Sequence, residues 1–399
     1  MARSRRRKPK NQPLRPWQLL LLVLIAGAIY LYNEGYFDPY LKRFLDDPTS
    51  TPTVAQGNGE APAVELARAV GFSGVWYQVY FSRPDYPETA AGRTGGIEDA
   101  MIADINAAKT SVRLAIYEFD RSNVADALIA AKQRGLTVEM VFDAENLDDP
   151  EMATEIGRIE QAGIPITYEN SEAFMHNKIL LLDDTVVWTG SMNLTRNDVY
   201  RNNNNMIRSS LTPLVENYRV RFADLFAGRF GSQSRDNTPN HEIDLDGGVK
   251  IENYFSPSDG ARANLLGYLK TAQSSIKVLA FSFTDDATAQ ELIALHGRGG
   301  DVRVVMEARN ADGTGSEFAT LAQAGVAVLR DANCYTAHNK FMVIDERVVI
   351  TGSYNFTARA EDTNDENLLI ISDPTLAKYY SDEFERLYAQ AQAGSRCGG

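Results

Sequence analysis

Beyond residue 74, two spacings of apolar residues alternate along the chain. Apolar side chains at Ile97, Met101 and Ile105 recur every three or four residues, which predicts a helix with one buried face. The next run, 112–116, places its large apolar residues at every second position and predicts a strand. Helix and strand patterns continue in turn to about residue 392. This alternation indicates an α/β fold, with a mixed sheet flanked by helices.

Segments of the first half of this region return in the second half. AIYEFD at 115–120 is repeated as AFSFTD at 280–285, and VFDAEN at 141–146 as VMEARN at 305–310. A repeat of this length, with the same order of elements, indicates two homologous units. We therefore predict two fused, similar α/β subdomains. Their predicted bounds are 74–231 and 249–392, with a polar linker at 232–248 and a tail at 393–399.

The N-terminal part has a different composition. Residues 1–16 carry seven basic side chains and no acidic one, and an uncharged apolar run follows them. This order predicts a cytoplasmic N-terminus, a transmembrane anchor at 17–37 and a flexible tether at 38–73. Because basic flanks stay in the cytoplasm, the body would lie outside it, in the periplasm or the extracellular space. The alternative is a signal peptide cleaved after Ala28, which would give a secreted protein.

The body of the chain is strongly acidic. The formal charge is -13 for the whole chain and about -20 without the basic N-terminus. Such a body lacks the broad basic face of a protein that clamps duplex DNA, so an anionic substrate needs a local cationic pocket. Cys334 and Cys397 define neither a metal cluster nor a disulfide framework. One bridge would be possible in an oxidising compartment, but we expect both cysteines to be incidental.

The densest part of the repeat aligns HNKILLLDDTVVWTGSMNLT at 176–195 with HNKFMVIDERVVITGSYNFT at 338–357. Eleven of the twenty positions are identical, and nine of the eleven carry polar chemistry or a glycine. Duplication of an ordinary core would keep the apolar pattern and let the polar positions change. Two of the four histidines of the chain fall in this motif, whereas His241 and His296 fit ordinary polar contacts.

The spacing within the motif fits phosphate chemistry. Residues two apart on a strand share a face, so His176 and Lys178 would project together. The lysine can hold a phosphate oxygen while the imidazole reaches phosphorus. Gly190 would let Ser191 and Asn193 donate further hydrogen bonds to the same anion. No cluster of His, Cys, Asp and Glu has the spacing of metal ligands, so we predict neither a metal nor a cofactor.

The double pattern His-x-Lys, four residues, Asp, six residues, Gly-Ser-x-Asn resembles the phospholipase D superfamily, over both halves of the chain. The resemblance implies one site at a pseudo-twofold axis, where one histidine becomes phosphorylated and the other protonates the leaving alcohol without a metal. One chain carries both motifs, so we expect a monomer to be active. The implied residues are His176, Lys178, His338 and Lys340 for catalysis, Lys178, Lys340, Asn193, Asn355, Ser191 and Ser353 for phosphate binding, and Asp183 and Asp345 for structure.

The two histidines need different roles, because attack requires a neutral imidazole and leaving-group protonation a charged one. Eleven residues after the motif asparagine, the second half has Glu366, whereas the first half has Asn204. In the superfamily, an acidic residue there pairs with the histidine of the opposite half. By that resemblance Glu366 orients His176, the predicted nucleophile. Asn204 would face His338, the predicted general acid, without supplying a charge.

The predicted reaction is phosphodiester hydrolysis through a phosphohistidine. Because an anchor would hold the acidic body against a bilayer, we favour phospholipase D-type cleavage of phospholipid head groups. An endonuclease is an alternative, since SVRLAIYEF at 111–119 resembles the nuclease branch. Transfer to an alcohol, as in cardiolipin synthases, would use the same intermediate. A non-catalytic scaffold is the remaining alternative, but neither motif has lost its histidine or lysine.

Overall fold

A computed structural model describes residues 63–394. Two mixed sheets, of nine and eight strands, form the frame of this region, and each belongs to one half of the repeat. Helices flank both sheets. The predicted α/β fold with two fused, similar subdomains is therefore confirmed.

The first half builds the nine-stranded sheet, in the order β1-β2-β3-β10-β8-β7-β4-β5-β6. Its strands are β1 (Ala63–Leu66), β2 (Ala69–Ser73), β3 (Tyr77–Ser82), β4 (Ser111–Ile116), β5 (Thr137–Asp143), β6 (Ile166–Glu169), β7 (Ile179–Leu182), β8 (Val186–Gly190), β9 (Asn202–Asn203) and β10 (Asn205–Ser209), of which β9 lies outside the sheet. Its α-helices are α1 (Ile97–Ala107), α2 (Ser122–Gln133), α3 (Pro150–Gln161), α4 (Arg196–Tyr200) and α5 (Thr212–Phe226).

The second half builds the eight-stranded sheet, in the order β11-β12-β19-β18-β17-β13-β14-β15. Its strands are β11 (Glu242–Leu245), β12 (Val249–Ser256), β13 (Ser275–Ala280), β14 (Asp301–Met306), β15 (Ala327–Arg330), β16 (Thr336–Ala337), β17 (Lys340–Ile344), β18 (Val348–Gly352) and β19 (Glu366–Ser372), of which β16 lies outside the sheet. Its α-helices are α6 (Ala261–Thr271), α7 (Asp286–Gly297), α8 (Ala308–Ala311), α9 (Phe318–Gln323), α10 (Ala358–Asp362) and α11 (Pro374–Ala393).

Strand pairing corrects the alignment of the two halves by one residue. In the first half Ala115 pairs with Ile179, and in the second half Leu279 pairs with Phe341. Ile179 and Phe341 each stand three residues after the motif histidine, so Ala115 corresponds to Leu279 and not to Ala280. The sequence alignment is wrong by one residue because AIYEFD and AFSFTD have identical residues when Ala115 is placed opposite Ala280. The pairing of the strands places Ala115 opposite Leu279 instead.

The extents of the tether and the linker also differ from the prediction. Residues 63–73, predicted as the end of a flexible tether, form β1 and β2, which extend the first sheet through β3. Residues 242–245, predicted as linker, form β11 and pair with β12. Cys334 is disulfide-bonded, so the expectation that it is incidental is wrong. Cys397 lies outside the described residues.

The predicted location in a membrane, with the body outside the cytoplasm, is contradicted. Among residues 63–394 no helix is long and apolar enough to cross a bilayer. The segment 17–37, from which that prediction came, lies outside the described residues, as do the basic residues 1–16.

A shared apolar core joins the two halves. One cluster of buried side chains contains residues of both halves, among them Phe81 and Phe222 from the first and Phe341 from the second. The rings of Phe81 and Tyr380 meet edge to face across the junction, with centroids 5.0 Å apart. Two further clusters are each confined to one half. Because the shared cluster is large and apolar, the halves pack as one body and not as independent domains.

Two short backbone links cross the junction in equivalent places. Strand β16 of the second half pairs in parallel with β9 of the first, and Met175 of the first half bridges to Asp365 of the second. The N–H of His338 donates to the carbonyl of Asn203 at 2.9 Å, and that of His176 to the carbonyl of Asp365 at 3.0 Å. Each motif histidine is thus held by the backbone of the opposite half.

Two glycines allow the strands next to these links to approach closely. A Cβ atom on Gly352 would lie 2.3 Å from the carbonyl oxygen of Asn367, and one on Gly190 would lie 2.2 Å from that of Asn205. Gly352 also has a backbone φ of +141°, which residues other than glycine rarely adopt. A side chain at either position would push the motif serine away from the strand beside it.

We predict that Gly352→Ala lowers the free energy of unfolding by about 2 kcal/mol, because the new methyl group cannot fit and the backbone is strained. Urea denaturation measures the change. Gly267→Ala is the matched control, since Gly267 lies inside α6 with open space around its Cα, and it should stabilise the protein by about 0.5 to 1 kcal/mol. Equal effects of the two substitutions would contradict this interpretation.

Candidate active site

The two His-Asn-Lys segments meet at the junction of the halves. Strand β7 begins only after Lys178, and β17 begins at Lys340, so the histidines precede the strands. His176 and Lys178 therefore precede the strand on which they were predicted, but they project together as predicted, since both contact the ring of Tyr117. The backbone links to the opposite half hold these segments instead.

The middle asparagine of each segment reinforces the same links. The amide of Asn177 donates to the carbonyl of Asp365 at 3.0 Å, and the amide of Asn339 to the side-chain oxygen of Asn205 at 3.1 Å. Both asparagines are buried. Buried amides with partners across the junction fix the register in which the halves meet.

His176 is bound by the acid that the sequence singled out. Its Nδ1 lies 2.7 Å from Oε2 of Glu366, which comes from the opposite half. The hydroxyl of Ser353 donates to the same carboxylate oxygen at 2.7 Å. With Nδ1 held in this way, Nε2 is the nitrogen left for the cleft. Burial raises the pKa of Glu366 to about 7.

His338 has two acceptors beside its Nδ1. One is Oδ1 of Asn204 at 3.0 Å, the equivalent of Glu366, as predicted. The other is Oδ1 of Asp198 at 3.1 Å. The premise that His338 faces no charge is therefore wrong, because sequence comparison considered only the position eleven residues after the motif asparagine.

The two lysines are buried cations. Lys178 and Lys340 are each 1% exposed, and each Nζ donates to the carbonyl of its own motif histidine, at 2.7 and 2.8 Å. Burial lowers the pKa of Lys178 to about 8 and that of Lys340 well below its ordinary value. Ammonium groups that have lost water and keep hydrogen-bonding capacity favour the arrival of an anion.

Aromatic rings lie beside both histidine-lysine pairs. The ring of Tyr117 is 5.0 Å from the His176 ring and 5.3 Å from Nζ of Lys178. The ring of Phe281 lies 4.7 Å from the His338 ring and 4.7 Å from Nζ of Lys340. These rings hold the imidazoles in place, and their faces attract the ammonium groups. They occupy equivalent positions once the alignment is corrected.

Asn193 and Asn355 both line the cleft, whereas the motif serines do not. The amide oxygen of each asparagine is buried without a hydrogen-bond partner among residues 63–394. Ser191 donates to Asn204 at 2.8 Å and Ser353 to Glu366 at 2.7 Å. The expectation that the serines bind phosphate directly is therefore corrected, since their hydroxyls brace the side chains that hold the histidines.

Asp183 and Asp345 stand at the far end of their strands, in turns. Asp183 accepts the backbone N–H groups of residues 109–111, and Asp345 those of residues 273–275. Burial acts to raise the pKa of Asp183, but these hydrogen bonds outweigh it and lower the pKa to about 2. The geometry fits the structural role predicted for both residues.

A cleft of about 850 Å³ opens over the two motifs. Its lining comes from both halves and includes His176, His338, Asn193, Asn355, Tyr117, Phe281, Glu118, Asp198, Arg196, Arg201, Arg309 and Arg359. Glu118 accepts from the amide of Asn193 at 2.8 Å, and burial raises its pKa to about 7. Four arginines of the lining can offer positive charge to an anion, but Asp120, Asp149 and Glu151 also line the cleft, so the lining carries charges of both signs.

The surroundings of both imidazoles favour their neutral forms. Burial and the charges of Lys178 and Lys340 lower the pKa of His176 well below its ordinary value. Burial lowers the pKa of His338 to about 4, although Asp198 acts in the opposite direction. A neutral imidazole whose Nδ1–H is donated to an acceptor presents the lone pair of Nε2 to the cleft.

Sequence reasoning missed Asp198, Glu118 and the two aromatic rings. Asp198 lies five residues after Asn193, where the second half has Ala360. The signal that could have found it was this acidic residue in one half only, at a position outside the repeated motif. Glu118 and the rings were hidden by the misplaced alignment of 115–120.

The fold and the cleft define a protein in which two repeats bring their motifs together in one cleft at their junction. A family described as "Cardiolipin synthase, PLD-like domain" matches residues 101–226 and 265–388, which is more than half of the chain. The chain belongs to this family, within the phospholipase D superfamily.

Relatives agree with this membership, and a solved structure shares the fold. The mitochondrial cardiolipin hydrolase of Xenopus tropicalis is 40% identical over 138 residues, which cover 35% of this chain and 66% of that protein. Phospholipase D of Rickettsia bellii is 34% identical over 131 residues, covering 33% and 65%. The chain thus spans just under two thirds of these relatives. The phosphatidylserine synthase of Haemophilus influenzae shares the fold, with a TM-score of 0.58 at 13% identity over 74% of this chain and 84% of that one.

We predict that ¹⁵N NMR at pH 7 shows His176 and His338 as neutral rings protonated at Nδ1. Since the pKa of His338 lies near 4, its second proton should bind only as the pH falls toward that value. His176→Gln and His338→Gln assign the signals. A doubly protonated ring, or one protonated at Nε2, at pH 7 would show that the acceptors do not set the tautomer.

Proposed function

We propose that the protein hydrolyses phosphodiesters through a phosphohistidine on His176. The observation that supports this proposal is that His176 and His338 line one cleft, each anchored through Nδ1, with a buried lysine of the same motif behind each imidazole. Two nitrogens aimed at one bound phosphate suit a double displacement, in which one attacks and the other moves protons.

In the first step, Nε2 of His176 attacks phosphorus and forms an N–P bond. The bond between phosphorus and the leaving oxygen breaks, and His338 gives its Nε2 proton to that oxygen, releasing an alcohol. Lys178 and Lys340 hold the non-bridging oxygens while negative charge grows on them. In the second step, His338 takes a proton from water, the water oxygen bonds to phosphorus, and the N–P bond breaks. The product is a phosphate monoester.

The roles of the two histidines follow from their acceptors. Glu366 holds His176 through Nδ1, and its carboxylate stabilises the positive charge that develops on the ring as Nε2 attacks. Burial acts to raise the pKa of Asp198, but hydrogen bonds from His338, Asn202 and Asn204 lower it, so Asp198 stays ionised. It therefore favours the charged form of His338. The negative charge of a bound diester favours the charged form further. Substrate binding therefore raises the pKa of His338, which takes up the proton that it later donates to the leaving group.

A phospholipid head group is the substrate that we favour. The relatives named above are a cardiolipin hydrolase and a phospholipase D, and the cleft is large enough for a phosphate with its alcohol. The acidic body opposes non-specific binding of DNA, because backbone affinity for nucleic acid depends on many basic contacts.

We predict that the purified protein releases phosphatidic acid or head-group alcohol from vesicles of cardiolipin and phosphatidylcholine. Because lysines supply the positive charge, EDTA should leave the rate unchanged. Chromatography of the lipid products measures the reaction, and single-stranded and duplex DNA are tested in parallel. Cleavage of DNA alone would indicate a nuclease, a new phospholipid ester would indicate a transferase, and a rate lost in EDTA and restored by a divalent ion would contradict the mechanism.

We predict that His176→Ala and His338→Ala each lower turnover of an alkyl diester by about a thousandfold or more. With bis(4-nitrophenyl) phosphate, whose leaving group needs little protonation, His338→Ala should still form the phosphoenzyme and stall in its breakdown, while His176→Ala should form none. Acid quench followed by mass spectrometry measures the phosphoenzyme. His296→Ala, outside the cleft, is the matched control and should keep wild-type turnover. Phosphate found on His338 in the wild type would reverse the assignment.

A further inference from the structure

The two halves differ in a complementary way at two positions. Eleven residues after the motif asparagine the second half has Glu366 and the first half Asn204. Five residues after it, the second half has Ala360 and the first half Asp198. Each half therefore has one carboxylate at these two positions. The first half has it at the earlier position, Asp198, and the second half at the later one, Glu366.

Helix α4 places Asp198 beside the histidine of the opposite half. Thr195 accepts the backbone N–H of Asp198 and so begins the helix, as Thr357 does for α10 in the second half. The residue is 2% exposed, and its Oδ1 lies 3.1 Å from Nδ1 of His338. In the second half the equivalent helix position carries the methyl group of Ala360, which cannot contact an imidazole in this way.

Further donors surround the carboxylate of Asp198. Its Oδ1 accepts from the amides of Asn202 at 2.6 Å and Asn204 at 3.1 Å, and its Oδ2 accepts from the backbone N–H of Asn193 at 2.8 Å. A buried carboxylate with this many donors is held in one orientation and stays charged. The backbone N–H of Asn193 also ties this carboxylate to the asparagine of the motif.

We infer that Asp198 is the positioning carboxylate of His338 and replaces the acid that position 204 lacks. The inference rests on the proposed function and adds a residue to it. In this arrangement Asn204 bridges the two groups, since its Oδ1 accepts from His338 while its Nδ2 donates to Asp198. Each histidine then contacts a carboxylate from the opposite half. Nδ1 of His176 contacts Glu366, and Nδ1 of His338 contacts both the carboxylate of Asp198 and the amide oxygen of Asn204.

The charges around His338 define what Asp198 contributes. Asp198 favours the imidazolium, whereas Lys340 and Lys178 oppose it, and His176 opposes it when charged. Removing the carboxylate takes away the largest interaction that favours the imidazolium while Lys340 and Lys178 remain, so the pKa of His338 should fall even though Glu118 still lines the cleft. A general acid works below its pKa, and the alkaline limb of the pH profile therefore moves to lower pH.

Asp198→Asn tests the inference in the full-length protein. On a short-chain phosphatidylcholine, whose leaving group needs a proton, kcat should fall by about tenfold to a hundredfold with KM within about twofold, and the alkaline limb should move down by about one pH unit. On bis(4-nitrophenyl) phosphate the phosphoenzyme should form at nearly the wild-type rate and break down slowly. A variant that is merely misfolded would lose both steps and would bind substrate poorly.

The double substitution Asp198→Ala with Asn204→Glu provides the rescue. It gives the first half the same pair of residues that the second half has at Ala360 and Glu366. The carboxylate beside His338 is then supplied from position 204 and not from position 198. We expect kcat within about fivefold of wild type and an alkaline limb restored toward its original pH, whereas Asp198→Ala alone should remain slow. Rescue of this kind also shows that the loss in the single variant does not come from unfolding.

Glu291→Gln is the matched control, because this acid lies on α7 and does not line the cleft; it should leave the pH profile unchanged. A wild-type pH profile in Asp198→Asn, or a double variant no better than Asp198→Ala, would overturn the inference while leaving the proposed function intact. A wild-type protein without activity on any diester would instead overturn the proposed function.

Discussion

The site depends on the register in which the two halves meet. The backbone N–H of each motif histidine donates to a carbonyl of the opposite half, that of Asp365 for His176 and that of Asn203 for His338. The residue after each carbonyl, 366 or 204, then lies beside the imidazole. A slip of one residue would turn these side chains away, because neighbouring residues of an extended segment point in opposite directions. The shared apolar core and the buried asparagines hold that register.

Burial sets the pKa values on which the proposed reaction depends. The junction removes water from two ammonium groups and two imidazoles, which lowers the pKa of all four groups. Cations in such surroundings interact strongly with a phosphate that enters between them, because little water remains to screen the charges. Neutral imidazoles can attack or accept a proton. The same apolar packing that joins the halves therefore prepares the site for an anion.

Much of this arrangement could be predicted from the sequence, because duplication made the signals visible twice. The α/β fold followed from the alternating periods, and the pairing of Glu366 with His176 followed from position and resemblance. Asp198 could not be found in that way, since a carboxylate moved to another helix position leaves no repeated pattern. The serines were assigned to phosphate because the motif places them next to Gly190 and Gly352, yet the close strand contact at those glycines turns the hydroxyls toward the junction.

The central claim is that one phosphate is held between the two motifs and attacked by His176. A crystal structure of the protein with orthovanadate, which mimics phosphorus with five ligands, tests it most directly. The account predicts vanadium bonded to Nε2 of His176, with oxygens contacted by Lys178 and Lys340 and an apical oxygen beside Nε2 of His338. Vanadium bonded to His338, or an anion held by the residues of one half alone, would contradict it.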